Sequence, residues 1–147
     1  MSDFESKIII VDLNADIQKQ FDVASDKECR QLAYRYIMDN LKGEYITSDG
    51  LVVEVGSRGA RELIFKDKVI NNIKIKLAPH LDEIIKSATF DNIKNVYKKR
   101  KDSFDKFAYY IAKISIDDIV YSATINIGIN SKTNKAVFYD INPLSKI

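Results

Sequence analysis

Between residues 106 and 129 the chain alternates apolar and polar positions with a period of two, interrupted once at Asp117-Asp118. Such alternation marks strands with one buried face, and it predicts strands over 106–116 and 119–129 joined by a two-residue turn. That turn pairs Ile116 with Ile119 and carries Ile114, Ala112 and Tyr110 opposite Tyr121, Ala123 and Ile125. This face is apolar throughout and belongs to the core, because a one-residue slip would turn the whole set to solvent. The other face sets Phe107, Tyr109, Ile111, Lys113 and Ser115 against Gly128, Asn126, Thr124, Ser122 and Val120, and it is mixed and polar. Period two also predicts strands at 89–98 and 135–141, so the last three form a meander. In the last strand, apolarity turns Val137, Tyr139 and Ile141 inward, although the loop 130–134 permits either face.

Upstream the period lengthens to that of a helix. Ser25-Asp26-Lys27-Glu28 fits a capping box, in which hydroxyl and carboxylate satisfy each other's free backbone amides. Cys29, Leu32, Ala33, Tyr36, Ile37 and Leu41 follow at helical spacing, with Gly43 able to cap the end. A hairpin is predicted from 44–47 and 51–55 around Ser48-Asp49-Gly50, then a short helix over 57–66 with Ser57 as its cap. A longer helix spans 72–87, where Pro79 either kinks it or starts a second segment. An apolar run at 7–13 reads as a short strand. The pattern predicts a single α+β domain, 1–147, with N-terminal helices packed on one face of a four-stranded antiparallel meander and a short N-terminal strand and hairpin as additions.

Charge changes this picture. Residues 1–50 carry six Lys/Arg against ten Asp/Glu, a net of −4, while residues 51–147 carry seventeen against eleven, a net of +6. The C-terminal part is the expected docking surface for an anion. Its densest cations are Lys98, Lys99, Arg100 and Lys101, followed by Asp102. The start of the chain has no basic region, long apolar core or cleavage site of a signal sequence, and no apolar run nears the roughly 20 residues needed to span a bilayer. A cytoplasmic location without membrane contact is expected.

The chemistry available is narrow. His80 is the only histidine and Cys29 the only cysteine, so a two-histidine mechanism, a disulfide within the chain and a cysteine- or histidine-rich metal site have no residues to build on. No phosphate loop or nucleophile elbow is present, and no cofactor is expected. Cleavage of RNA through its own 2′-hydroxyl fits what remains, because the substrate supplies the nucleophile. Arg58, Arg61 and Glu62 sit in the first turns of a helix, where anions are favoured; the same residues also suit an ordinary capping network. The polar hairpin face with Tyr109, Lys113, Ser122, Thr124 and Asn126 suits a phosphate backbone and a stacked base, although antiparallel sheets ordinarily leave one face wet.

The order G-S-R-G-A-R-E-L, K-L-A-P-H-L-D-E-I-I-K-S-A, Y-K-K-R-K-D, F-A-Y-Y-I-A-K-I-S-I-D-D-I-V-Y-S-A-T-I-N-I and F-Y-D-I-N resembles domains of polyvalent proteins of phage and mobile elements, grouped with the barnase, EndoU, colicin-type tRNase and RelE-like nucleases. The resemblance covers about 34–143; the first 30 residues form an extension without a counterpart. It implies helices on a four-stranded antiparallel sheet and a metal-independent, RNA-directed nuclease ancestry of toxin or mobile-element type. Glu62, Tyr109 and Lys113 are then the candidate catalytic groups, and Arg58, Arg61, Lys98, Lys99, Arg100, Lys101, Ser122, Thr124 and Asn126 the candidate nucleic-acid contacts. His80 matches no catalytic histidine, which leaves a mechanism of Lys, Arg and Tyr. The implied partners are RNA, tRNA included, or a host nucleoprotein, with a cognate inhibitor as a further partner. A non-enzymatic inhibitor or decoy using the same basic surface is the rival reading; a third is an immunity-like module whose acidic N-terminal part meets a basic partner.

Overall fold

The computed structural model describes residues 7–68, 72–97, 103–142 and 145–146. In chain order the elements are β1 (Ile8–Val11), α1 (Asp16–Val23), α2 (Asp26–Tyr36) running into a π turn (Ile37–Leu41), β2 (Gly43–Ile46), β3 (Val52–Val55), α3 (Ser57–Phe65), α4 (Asn72–Leu77), a 3-10 turn (Ala78–His80), α5 (Leu81–Ser87), β4 (Thr89–Asn95), β5 (Lys106–Ile116), β6 (Ile119–Asn130), β7 (Lys135–Ile141) and β8 (Ser145–Lys146). No described helix is long and apolar enough to cross a membrane.

The expected four-stranded antiparallel meander is corrected by this architecture. The sheet is mixed and has eight strands, ordered β1-β5-β6-β7-β3-β2, with β4 also on β5 and β8 also on β6. β1 runs parallel to β5 and β3 parallel to β7, so the N-terminal strand and hairpin are members of the sheet rather than additions to it. The sheet curls until its far end returns over its own inner face. Tyr110 Oη, on β5, donates to Asp49 Oδ1 and Oδ2 at 3.0 and 3.1 Å in the β2–β3 turn, and Ser48 Oγ donates to the Ala88 carbonyl at 2.8 Å.

The central hairpin has the register its alternation implies, Ile116 with Ile119 through to Phe107 with Gly128. Asp117 and Asp118 both take left-handed backbone, φ 52° and 63°, the geometry whose twist matches a hairpin and which aspartate tolerates better than most residues. Ala108, Tyr110, Ala112, Ile114 and Ile116 are buried against the helix layer together with Ala123, Ile125 and Ile127.

Three local readings are also corrected. α1 was not expected: its N-cap is Ala15, which has no capping side chain, and one of its two buried residues is Gln18, whose Nε2 donates to the Lys76 carbonyl at 2.8 Å. Gly56, not Ser57, is the N-cap of α3, with no side-chain capping bond. Gly43 opens β2 instead of capping a helix. Elsewhere, the capping box at Ser25 and Glu28 is formed, and it holds the Glu28 carboxyl below its ordinary range through hydrogen bonds from Ser25. Pro79 separates α4 from α5 by the 3-10 turn.

The last strand departs furthest from its pattern. The register between β6 and β7 slips between Asn126 and Ile127: Ile127 pairs with Phe138 but Asn126 with Asp140, leaving Tyr139 as the extra residue of a bulge. Phe138 and Ile141 are therefore the buried core residues, while Val137 and Tyr139 are only half-buried. The inward assignment of Val137 and Tyr139 fails because a bulge resets a strand's alternation.

Candidate functional site

The face of β5 and β6 away from the helices is the one the sequence marks as polar, and the register assembles it into rows. Asn92 of β4, Tyr109 of β5, Asn126 of β6 and Asp140 of β7 are Cα partners in succession, so one row of hydrogen-bonding residues crosses four strands. Lys94 lies beside it, its Nζ 5.6 Å from the centre of the Tyr109 ring. Asn126 Nδ2 donates to Asn142 Oδ1 at 3.0 Å, and the Asn142 amide donates to the Thr124 carbonyl at 2.8 Å. The oxygens Asn92 Oδ1 and Asn126 Oδ1 are enclosed without a hydrogen-bond partner. Thr124 and Ser122 continue the face toward the hairpin turn, and Lys113, paired with Ser122, is exposed.

One end of this face is aromatic. Phe104, Phe107 and Tyr139 meet edge to face with ring centres 5.2 to 6.0 Å apart, an arrangement that suits the ring quadrupoles. Phe104 lies flat over Gly128, where an added Cβ would stand 2.7 Å from its ring carbons. The bulge delivers Tyr139 to this group. Arg58, from the first turn of α3, holds its guanidinium 5.4 Å from the Phe104 ring centre and 6.0 Å from that of Tyr139.

The margin along β7 is ionic. Asp140 and Lys74 are 2% and 5% exposed. Asp140 Oδ1 accepts from Lys74 Nζ at 3.2 Å and from the Ile141 amide at 2.8 Å, and its Oδ2 is 3.5 Å from Lys66 Nζ. Lys66 also meets Glu62 at 3.3 Å, and Lys74 meets Asp67 at 3.8 Å. Burial pulls the Lys66 ammonium down, but Asp140 and Glu62 outweigh it and its pKa is raised. Removing one partner from a buried pair strands a charge, while the pair itself adds little net stability; the cluster specifies geometry more than it stabilises the fold.

The sequence candidates are distributed unevenly over this site. Tyr109, Lys113, Ser122, Thr124 and Asn126 share the open face. Tyr109 and Lys113 are four residues apart on one strand, about 13 Å, so they do not converge on a single atom. Arg58 and Glu62 lie one helical turn apart on the α3 margin. Arg61 is exposed and sits 100° around the helix from Glu62, off the side that Gly59 and Lys66 turn to β7. Lys98, Lys99, Arg100 and Lys101 lie outside the described residues. His80 Nδ1 is 3.4 Å from Glu83 Oε1, a helix-surface contact. Cys29 is buried, its thiol pushed up by burial and donating to the Phe21 carbonyl at 3.1 Å. Among the described residues no group of three or more His, Cys, Asp or Glu is placed to hold a metal ion.

Sequence reasoning missed Lys66, Lys74, Lys94 and Asp140. A signal for two of them existed: Asp140 interrupts the apolar strand Phe138-Tyr139-Asp140-Ile141, and Lys74 interrupts Ile73-Lys74-Ile75. A charge inside an apolar run asks for a partner.

The molecule is thus an α+β domain whose helices cover one face of a curled mixed sheet and leave a polar, aromatic-ended face open. The chain belongs to the family of Large polyvalent protein-associated domain 3, whose model matches residues 24–137, from the residue before the Ser25 cap of α2 into β7. No curated protein and no solved structure matches it. The family match supports the polyvalent-protein part of the resemblance drawn from the motifs and carries no nuclease assignment.

Proposed function

We propose that the domain binds single-stranded RNA across the open sheet face, as one module of a phage or mobile-element polyvalent protein. The observation that carries this reading is the row Asn92, Tyr109 and Asn126, which sets amide and hydroxyl side chains in a line, closed at its β7 end by the buried Asp140, beside an aromatic corner bearing Arg58. Splayed bases present hydrogen-bonding edges and π faces, and proteins read them with such groups on open sheets. Lys94, Lys113 and Arg58 contact phosphates in this reading. Lys98, Lys99, Arg100 and Lys101, which lie outside the described residues, are further candidates for phosphate contacts from the sequence alone.

Equilibrium binding of a labelled single-stranded RNA, titrated with salt, tests the proposal. Affinity should fall steeply with salt. Tyr109→Ala should weaken binding by about tenfold, the low end of a lost base stack, and Lys98→Ala/Arg100→Ala should weaken it across all sequences and flatten the salt dependence. Binding that ignores salt, or no binding, overturns the reading. Incubating the protein with total tRNA in EDTA separates a cutting module from a binding one: cleavage that survives the chelator and is lost in Glu62→Ala, Tyr109→Phe or Lys113→Ala marks that residue as part of the cutting machinery, and intact tRNA leaves a binding or decoy module.

A further inference from the structure

The α3 margin carries a pattern that the open face alone does not explain. Arg58, Glu62 and Lys66 follow each other at intervals of four residues, and Lys66 keeps helical backbone, φ −61° and ψ −45°, so the three form one stripe about 12 Å long. Each cation is held from behind by β7. Arg58 rests on Tyr139 and Phe104, and Lys66 on Asp140. The bulge at Tyr139 is what allows this, because it sends the two neighbours Tyr139 and Asp140 to separate partners. Both cations therefore have partners that orient them before any ligand arrives, which lowers the ordering cost of a contact.

Between them stands a carboxylate. Glu62 is about a quarter exposed and bonded to Lys66 at 3.3 Å. A stripe built only to hold phosphates would gain nothing from an acid at its centre, since it repels the polyanion. A carboxylate does, however, accept a hydrogen bond from a hydroxyl, and the ribose 2′-hydroxyl is the group by which a protein tells RNA from DNA.

We infer that α3 reads the sugar of a nucleic-acid strand: Arg58 and Lys66 take phosphates, and Glu62 takes a 2′-hydroxyl between them, so the domain selects RNA over DNA of the same sequence. This rests on the RNA-binding reading above and adds the discriminating residue. The Glu62–Lys66 ion pair, i,i+4 on a helix surface, contributes only a few tenths of a kcal/mol to stability, so Glu62 substitutions leave the fold intact, and in Lys66→Ala the buried Asp140 keeps Lys74 as its partner; thermal melting followed by circular dichroism verifies that each variant is folded.

The test compares single-stranded oligouridylate with oligodeoxyuridylate of equal length. The native chain should prefer the ribose form by about tenfold or more, the value of a hydrogen bond to a charged group. Glu62→Ala should bring the two affinities together, chiefly by raising that for the deoxy strand, while Glu62→Gln, which keeps an acceptor without the charge, should retain part of the preference. Arg58→Ala and Lys66→Ala should weaken both strands alike, each reducing the salt slope by about one. Equal binding of the two strands by the native chain, or an unchanged ratio in Glu62→Ala, overturns the assignment of Glu62 and leaves the RNA-binding reading standing. Binding of neither strand removes that reading and this inference with it.

Discussion

The two faces of the β5–β6 hairpin share the same backbone yet obey different rules. On the inner face Ala112, Ala123, Ile114 and Ile125 are each at most 1% exposed, and every neighbour is constrained by volume. On the outer face the partners of the same strands, Lys113 with Ser122 and Ile111 with Thr124, are half-buried or exposed, and their contacts are made by hydrogen bonds and charge. Residues one position apart therefore carry separate tasks. The inner face determines whether the chain folds; the polar positions of the outer face, Lys113, Ser122 and Thr124, can change at smaller cost to the fold, and that freedom is what a binding surface requires.

Substituting neighbours on opposite faces should show this most strongly. Ile125→Ala should destabilise the domain by about 2–5 kcal/mol through the lost transfer energy and the cavity left behind, whereas Thr124→Ala should cost less than about 1 kcal/mol. Urea denaturation measures both, and a Thr124→Ala penalty as large as that of Ile125→Ala would mean the outer face is covered after all.

A smaller contrast comes from two glycines. A Cβ at Gly59 would land on the Phe138 carbonyl oxygen, which is backbone of the central sheet, whereas the nearest atoms to one at Gly128 belong to the Phe104 ring, a side chain. Gly59→Ala should cost about 1–3 kcal/mol by overpacking, even though alanine is the better helix former. Gly128→Ala should cost less, because the Phe104 ring is a side chain that can shift where the Phe138 carbonyl is fixed backbone, and should loosen the aromatic corner that supports Arg58. The ranking of the two midpoints in denaturant decides it.

The last effect appears only in alkali. Tyr110 is buried and bonded to Asp49, and burial first, then the carboxylate, pushes its pKa up from 10.0 to about 12. The folded state holds this proton over a range where the unfolded chain has lost it, so stability falls as pH rises between about 10 and 12. The loss approaches about 2 kcal/mol. Tyr110→Phe should flatten that decline; a native chain whose melting temperature is no more pH-sensitive than the variant's over this range would remove the latch between β5 and the β2–β3 turn.

Local pattern reached the hairpin, its turn, the capping box and the division of its residues into two faces, because each of these depends on neighbours in sequence. It failed wherever a distant segment decided the outcome. β1 and β3 pair in parallel with strands far along the chain, a choice that short apolar runs do not encode, and so a mixed curled sheet replaced the expected meander. α1 escaped because its buried face includes a glutamine that finds its acceptor on α4, 58 residues away.

The candidate site divides in the same way. Tyr109, Lys113, Ser122, Thr124 and Asn126 were legible as one surface, since alternation alone assigns them a common face. Asp140 with Lys74 and Lys66, and Arg58 with Phe104 and Tyr139, were not, because those contacts exist only once a bulge in β7 has reset which side chains face which way. Sequence determined what each strand would offer to either side; tertiary pairing decided which offers met, since hydrogen-bond register between remote strands is settled by the packing of the whole core rather than by any segment within it.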